Sequence, residues 1–139
     1  MKTTFLFCLM LLLATFSSAQ DKKAITNLLE KQRLAWNRGD LEGYMSGYWK
    51  SDSLLFVGKD GPKFGWKTTW DNYKKTYLGE DSMGTLTFNI LQINIIDIKN
   101  AFVLGAWNLK REKDEPKGFF TLWLRRIRGE WKIVCDHTS

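Results

Sequence analysis

Imidazole is the side chain best suited to moving protons near neutral pH, and the 139-residue sequence holds one, His137. It lies in the closing segment Trp131-Lys132-Ile133-Val134-Cys135-Asp136-His137-Thr138-Ser139, which reads as a strand. Asp136 cannot orient the ring, because neighbours on a strand point to opposite faces. If Arg128-Gly129 is a two-residue turn, Glu130 pairs with Ile127 and His137 faces Phe120. Its face then carries Leu122, Leu124, Ile133 and Cys135, an apolar, pocket-like wall. His137 is therefore the candidate acid or base; the alternative is a histidine that merely packs near the end of a strand.

A second group of residues is set by type rather than by pairing. Trp36, Tyr48, Trp49, Trp66, Trp70, Tyr73, Trp107 and Trp123 form a heavy aromatic set for a chain this short. Together with Gln32, Phe56, Phe120 and His137, all of them but Trp123 are expected to line a site for a flat or apolar ligand. Gln32, Tyr48 and Tyr73 would be its polar handles. The competing reading is a plain hydrophobic core, since Trp66, Trp70, Tyr73 and Tyr77 recur at spacings of one helical face. Thr121 and Trp123 point away from the residues beside His137 and are expected on an assembly face. Asp52, Asp60 and Asp97 sit at turns, Asp40 reads as a helix cap, and Cys135 reads as a small buried hydrophobe.

Other chemistries find no residues. No GxGxxG or GxxxxGK[ST] pattern is present, no cofactor is indicated, and no pair of carboxylates can be brought together by spacing. One histidine, and one cysteine outside the first 19 residues, exclude a His/Cys zinc site within one chain.

The elements that would position these residues follow from periodicity. Ile25, Leu28, Leu29 and Trp36, with Gln32 on the same stripe, predict a helix from Asp21 to Arg38, stopped by Gly39. Asp40 then caps a short helix from Leu41 to about Tyr48. Leu54-Leu55-Phe56-Val57 predicts a buried strand, Lys59-Asp60-Gly61-Pro62 a turn, and the aromatic stripe a third helix that ends at Gly79. From Thr85 the period changes to two. Strands are expected at about 85–96, 101–110, 118–127 and 130–138, forming an antiparallel meander. Three helices and about five strands make an α+β arrangement. Both alternating sets of 102–107 and 119–124 are largely apolar, so the sheet needs a cover on each side. Three short helices cover one; the other is expected to meet a second copy of the chain, the alternative being a different protein.

The first 19 residues stand apart. A basic start, the apolar run Phe5–Phe16 and the small residues Ser17-Ser18-Ala19 predict a signal peptide cleaved near Ala19. That leaves residues 20–139 as one domain, exported to the periplasm or beyond the cell. A run of twelve residues is too short to span a bilayer, which takes about 20. Removing Lys2 with the leader lowers the net charge from +6 to +5. The basic residues are scattered among acids rather than drawn into a stripe, so no nucleic-acid surface is expected.

The chain resembles the nuclear transport factor 2-like, or SnoaL-like, superfamily, in particular its exported bacterial branch. The resemblance rests on Trp36-Asn37-Arg38-Gly39-Asp40-Leu41, Gly65 with the aromatic helix behind it, Ala101 to Trp107, Gly118 to Leu122, and the segment from Trp131 to Ser139. It implies a curved sheet wrapped around the first helix as a cone with a pocket at its open end, and sheet-to-sheet dimers. Fold alone does not give function, because the superfamily holds ketosteroid isomerase, dehydratases, epoxide hydrolases, polyketide cyclases and non-catalytic modules. Aligned on the Gly-Asp step, the isomerase's tyrosine donor falls on Gln32, and its general base on Phe56, or on Val57 after a one-residue shift. None of these serves that chemistry. The expectation is an exported homodimer that binds a small apolar or aromatic molecule. The alternatives are a cofactor-independent lyase, isomerase or hydrolase using His137, and an assembly module with a filled cone.

Overall fold

The computed structural model describes residues 2–139, the side chains of residues 2–17 and of Glu80 excepted. The first helix, α1 (Lys2–Asn37), runs further back than periodicity suggested, through the segment expected as a leader. Its packing face is the predicted stripe: Ile25, Leu29, Gln32 and Trp36 are buried, and Leu28 is partly buried against them. Gly39 takes φ +77 just past its end, a conformation that costs glycine little. Asp40 then accepts a hydrogen bond from the Gly43 N–H at 2.7 Å and so caps α2 (Leu41–Met45), which buries Tyr44 and Met45.

Six strands form one sheet in the order β2-β1-β6-β5-β4-β3: β1 (Leu55–Gly58), β2 (Gly61–Phe64), β3 (Thr85–Ile95), β4 (Asn100–Lys110), β5 (Lys117–Ile127) and β6 (Glu130–Thr138). The last four are the expected antiparallel meander. Two features differ from expectation. Gly61–Phe64, which begins within the segment read as a turn, is a strand that closes a hairpin with β1. The sheet is also mixed, since β1 lies parallel to β6. Helices α3 (Trp66–Thr76) and α4 (Glu80–Met83) carry the chain from one sheet edge to the other. The class is the expected α+β, as an open curved sheet.

The sheet holds α1 against its concave side, where the core sits. Trp36 Nε1 donates to the Met83 carbonyl at 3.0 Å. Asn37 donates to and accepts from the Leu86 backbone, at 2.9 and 2.7 Å, so the end of α1 is fixed to the start of β3. Near the middle of the helix, buried Asp21 accepts from Arg126 and from Trp131 Nε1, tying α1 to the β5–β6 hairpin. Gly105 admits one close contact: a methyl there would lie 2.3 Å from the Phe120 ring, so this glycine lets the ring lie flat on β4. Among the described residues no helix is long and apolar enough to cross a membrane.

Candidate functional site

A cavity of about 440 Å³ opens between α1, α3 and the concave face of the sheet, within the size range of small-molecule sites. Aromatic rings make most of its wall. Trp36 meets Tyr44 edge-on at 5.0 Å and Tyr77 at 4.7 Å, Phe56 meets Tyr73 at 5.8 Å, and Phe88 meets Phe120 at 5.4 Å. Such edge-to-face pairs fix ring positions, each adding about 0.5–1.5 kcal/mol beyond burial.

Asp136 is the one carboxyl buried in this wall. It is 6% exposed, opposite Leu122 on β5 and Phe56 on β1. The Tyr48 hydroxyl donates to its Oδ2 at 2.7 Å, and the Tyr44 hydroxyl lies 3.4 Å from that of Tyr48. The other carboxyl oxygen, Oδ1, is buried with no hydrogen-bond partner. Burial pushes the Asp136 carboxyl up to about 7, against a smaller downward pull from Tyr48. The tyrosines move with it: burial first, then the Asp136 charge, raises Tyr44 to about 12 and Tyr48 well above its ordinary value. Near neutral pH the cluster therefore offers a carboxyl that exchanges its proton beside hydroxyls that keep theirs.

A β-bulge decides which residue of β6 faces inward. Ile127 pairs with Glu130 as expected, but Leu124 pairs with Ile133 and Trp123 with Cys135, leaving Val134 as an extra residue. Beyond it every side chain is transferred to the opposite face. Asp136 turns into the cavity, and His137 pairs with Thr121 on the exposed convex face rather than facing Phe120. The placement of His137 and Cys135 on a cavity wall is thereby corrected. Cys135, read as a small buried hydrophobe, is half-buried, and burial followed by the Asp136 charge raises its pKa.

Of the other expected pocket residues, Gln32, Trp36, Tyr48, Phe56, Tyr73, Trp107 and Phe120 line the cavity. Gln32 is held as wall, its amide N–H donating to the Tyr44 carbonyl at 2.9 Å. Trp49, Trp66 and Trp70 lie outside the lining. Trp49 N–H donates to the Ile133 carbonyl at 2.8 Å, pinning the loop that carries Tyr48. Trp66 and Trp70 stack at 5.6 Å, with the ammonium groups of Lys50 and Lys74 over their rings; helical spacing placed them on one face with Tyr73 and Tyr77, but of that face only Tyr73 and Tyr77, toward the end of the helix, reach the cavity. Thr121 and Trp123 lie on the convex face with Phe102, where Trp123 is 50% exposed. Sequence reasoning missed Asp136, Tyr44 and Tyr77 as lining. Nothing local marks the Val134 bulge that turns Asp136 inward. Lys59, Lys63 and Arg111 stand on the lining with Asp60. Among the described residues no cluster of three or more His, Cys, Asp or Glu side chains could hold a metal ion.

The SnoaL-like domain model matches residues 25–139. A nuclear transport factor 2-like protein of unknown function from Shewanella oneidensis MR-1 is 42% identical, with a TM-score of 0.83 over 86% of this chain and 98% of that one. A ketosteroid isomerase-like protein from Erwinia carotovora atroseptica shares the fold at 19% identity and a TM-score of 0.66, over 84% and 93% of the two chains. So does a cystatin-like domain of unknown function from Nostoc punctiforme, at 17% identity and 0.72, over 86% and 76%. No curated protein matches the chain.

Proposed function

The chain belongs to the SnoaL-like domain family, and from that premise we propose that it binds a small, partly apolar molecule in the cavity, with Asp136 and Tyr48 receiving the ligand's polar group. One observation carries the reading: a buried carboxyl oxygen with no partner, inside an aromatic-walled cavity. An unsatisfied buried polar atom costs about 1–3 kcal/mol, which a ligand O–H or N–H at that point would offset. A second reading has its own support. A carboxyl that titrates at about 7 beside a positioned hydroxyl is suited to general acid–base catalysis, so proton transfer on the bound molecule is the alternative, with Asp136 in the role first given to His137. The isomerase-like neighbour contributes the fold to this reading and nothing of its chemistry.

Export and assembly complete the proposal. Residues 1–19 are a signal peptide, residues 20–139 the exported domain, and two copies meet through the convex sheet face around Thr121 and Trp123. The test is a thermal-shift screen of small metabolites on the wild-type protein and on Asp136→Asn, at pH 6 and pH 8. A ligand at 100 times its Kd adds about 2.7 kcal/mol, enough to raise Tm by several degrees in a domain this size. Hits weakened by Asp136→Asn are expected, and turnover of a hit by the wild type alone selects the catalytic reading. A broad library without a hit rejects both.

A further inference from the structure

The charges around the cavity are segregated along one row of the sheet. Phe56 is the register partner of Lys63 on β2 and of Asp136 on β6. Partners across neighbouring strands share a face, so Lys63, Phe56 and Asp136 stand in line on the concave side. All three line the cavity. Lys63 and Asp136 are thus two strand spacings apart, roughly 10 Å, with the Phe56 ring between them. Lys59, in the turn after β1, stands on the same lining. The Arg111 guanidinium is committed, since Asp114 accepts from its Nε and Nη2 at 2.5 and 2.8 Å. Lys59 and Lys63 have no acidic side chain within 4 Å among the described residues. Asp60 is the remaining charged side chain on the lining besides Asp136.

We infer that the cavity takes an amphipathic carboxylate: an aromatic or other apolar body with a hydroxyl at one end for Asp136 Oδ1 and a carboxylate at the other for Lys63 and Lys59. The inference rests on the binding role proposed above and assigns the ligand's class and direction. The direction follows from where each charge keeps its solvation. Driven to the buried end, a carboxylate would lie against a carboxyl in a dry, aromatic surround and lose its water uncompensated. At the lysine end it meets two ammonium groups, one of them on an exposed turn residue, and remains hydrated. The hydroxyl supplies what the buried end lacks, a donor for an oxygen that has none. A cationic amine would suit Asp136 but not the two lysines it must pass.

The test is calorimetric titration of the full protein with 4-hydroxycinnamate, its methyl ester and 4-methoxycinnamate, repeated on the double variant Lys59→Gln/Lys63→Gln. The acid spans the two ends and is expected to bind about five- to tenfold more tightly than the ester, with an affinity that falls as salt is added. The double variant should abolish that preference and leave ester binding unchanged. The methoxy compound, lacking the donor, should bind more weakly than the hydroxy acid to both proteins. Equal binding of acid and ester overturns the anionic class and leaves the pocket reading standing. A preference for the acid that survives in the double variant overturns the assignment to the lysines. Binding by none of the three compounds at millimolar concentration rejects the ligand class, whereas the pocket reading stands or falls with the metabolite screen.

Discussion

Asp136 has the largest individual consequences, because its proton is coupled to folding. In the folded chain the carboxyl titrates at about 7 rather than at its ordinary 3.8, so the native state holds a proton there that the unfolded chain has released. The stability associated with this group is complete below the ordinary value and is lost as pH rises through about 7. Asp136→Asn should remove that slope: its urea midpoint gains on the wild type between pH 5 and pH 8, and an unchanged difference would show that the carboxyl is not buried as described. Tyr48→Phe takes away the hydroxyl that favours the charged form. It should raise the Asp136 titration further, read by carboxyl carbon NMR, and cost about 1–3 kcal/mol by leaving both oxygens unpartnered. A titration that moved downward instead would contradict the geometry. The importance of this residue was not legible in the sequence, where aspartate on a strand next to the sole histidine drew interest only as a poor partner for it.

At the scale of elements, α1 and the strands divide clearly. Ile25, Leu29, Gln32 and Trp36 form a stripe whose period is set by the backbone alone, and the structure buries all four. The strands follow a period of two that one inserted residue can invert, and Val134 does this in β6. A local pattern reports which residues share a face only while register is unbroken. Gly105 tests packing across the sheet. Gly105→Ala places a methyl 2.3 Å from the Phe120 ring, with backbone on one side and the cavity on the other. The expected cost is about 1–3 kcal/mol in urea unfolding, together with weaker ligand binding as the ring moves into the cavity. A fully neutral substitution would mean that the ring does not lie on β4. Asp21→Asn tests the tie between α1 and the β5–β6 hairpin. It removes the charge that faces half-buried Arg126 and should cost about 1–3 kcal/mol, lost in 1 M salt only in part because Asp21 itself is buried.

For the whole molecule the open question is the convex face of the sheet. Phe102, Phe119 and Trp123 stand exposed on it, at 36%, 59% and 50%, beside Thr121 and His137. Single exposed apolar residues are ordinary, but a contiguous set is not. Trp123→Glu is expected to convert a dimer into a single chain in light scattering at micromolar concentration, with the cavity's ligand binding retained because Trp123 lies outside the lining. A wild-type protein that already scatters as one chain removes the dimer. Export has an equally direct check: intact mass of the protein from the periplasm or medium should correspond to cleavage after Ala19, and an uncleaved chain there argues against the leader.

Composition and periodicity were sufficient for the α+β class, the first helix with its buried stripe, the meander of four long strands and the aromatic character of the interior. Each of these depends on residue type and on spacing within a few turns or strands, which the backbone converts directly into a face. The tertiary structure alone decided that the sheet gains a sixth strand and a parallel pair, that the third helix keeps Trp66 and Trp70 off the cavity, and that Asp136 rather than His137 reaches it. Those outcomes rest on contacts between segments as distant as Tyr48 and Asp136, 88 residues apart, and on one unpaired residue in a ladder. Neither leaves a trace in local pattern, because the partner that fixes each side chain lies elsewhere in the chain.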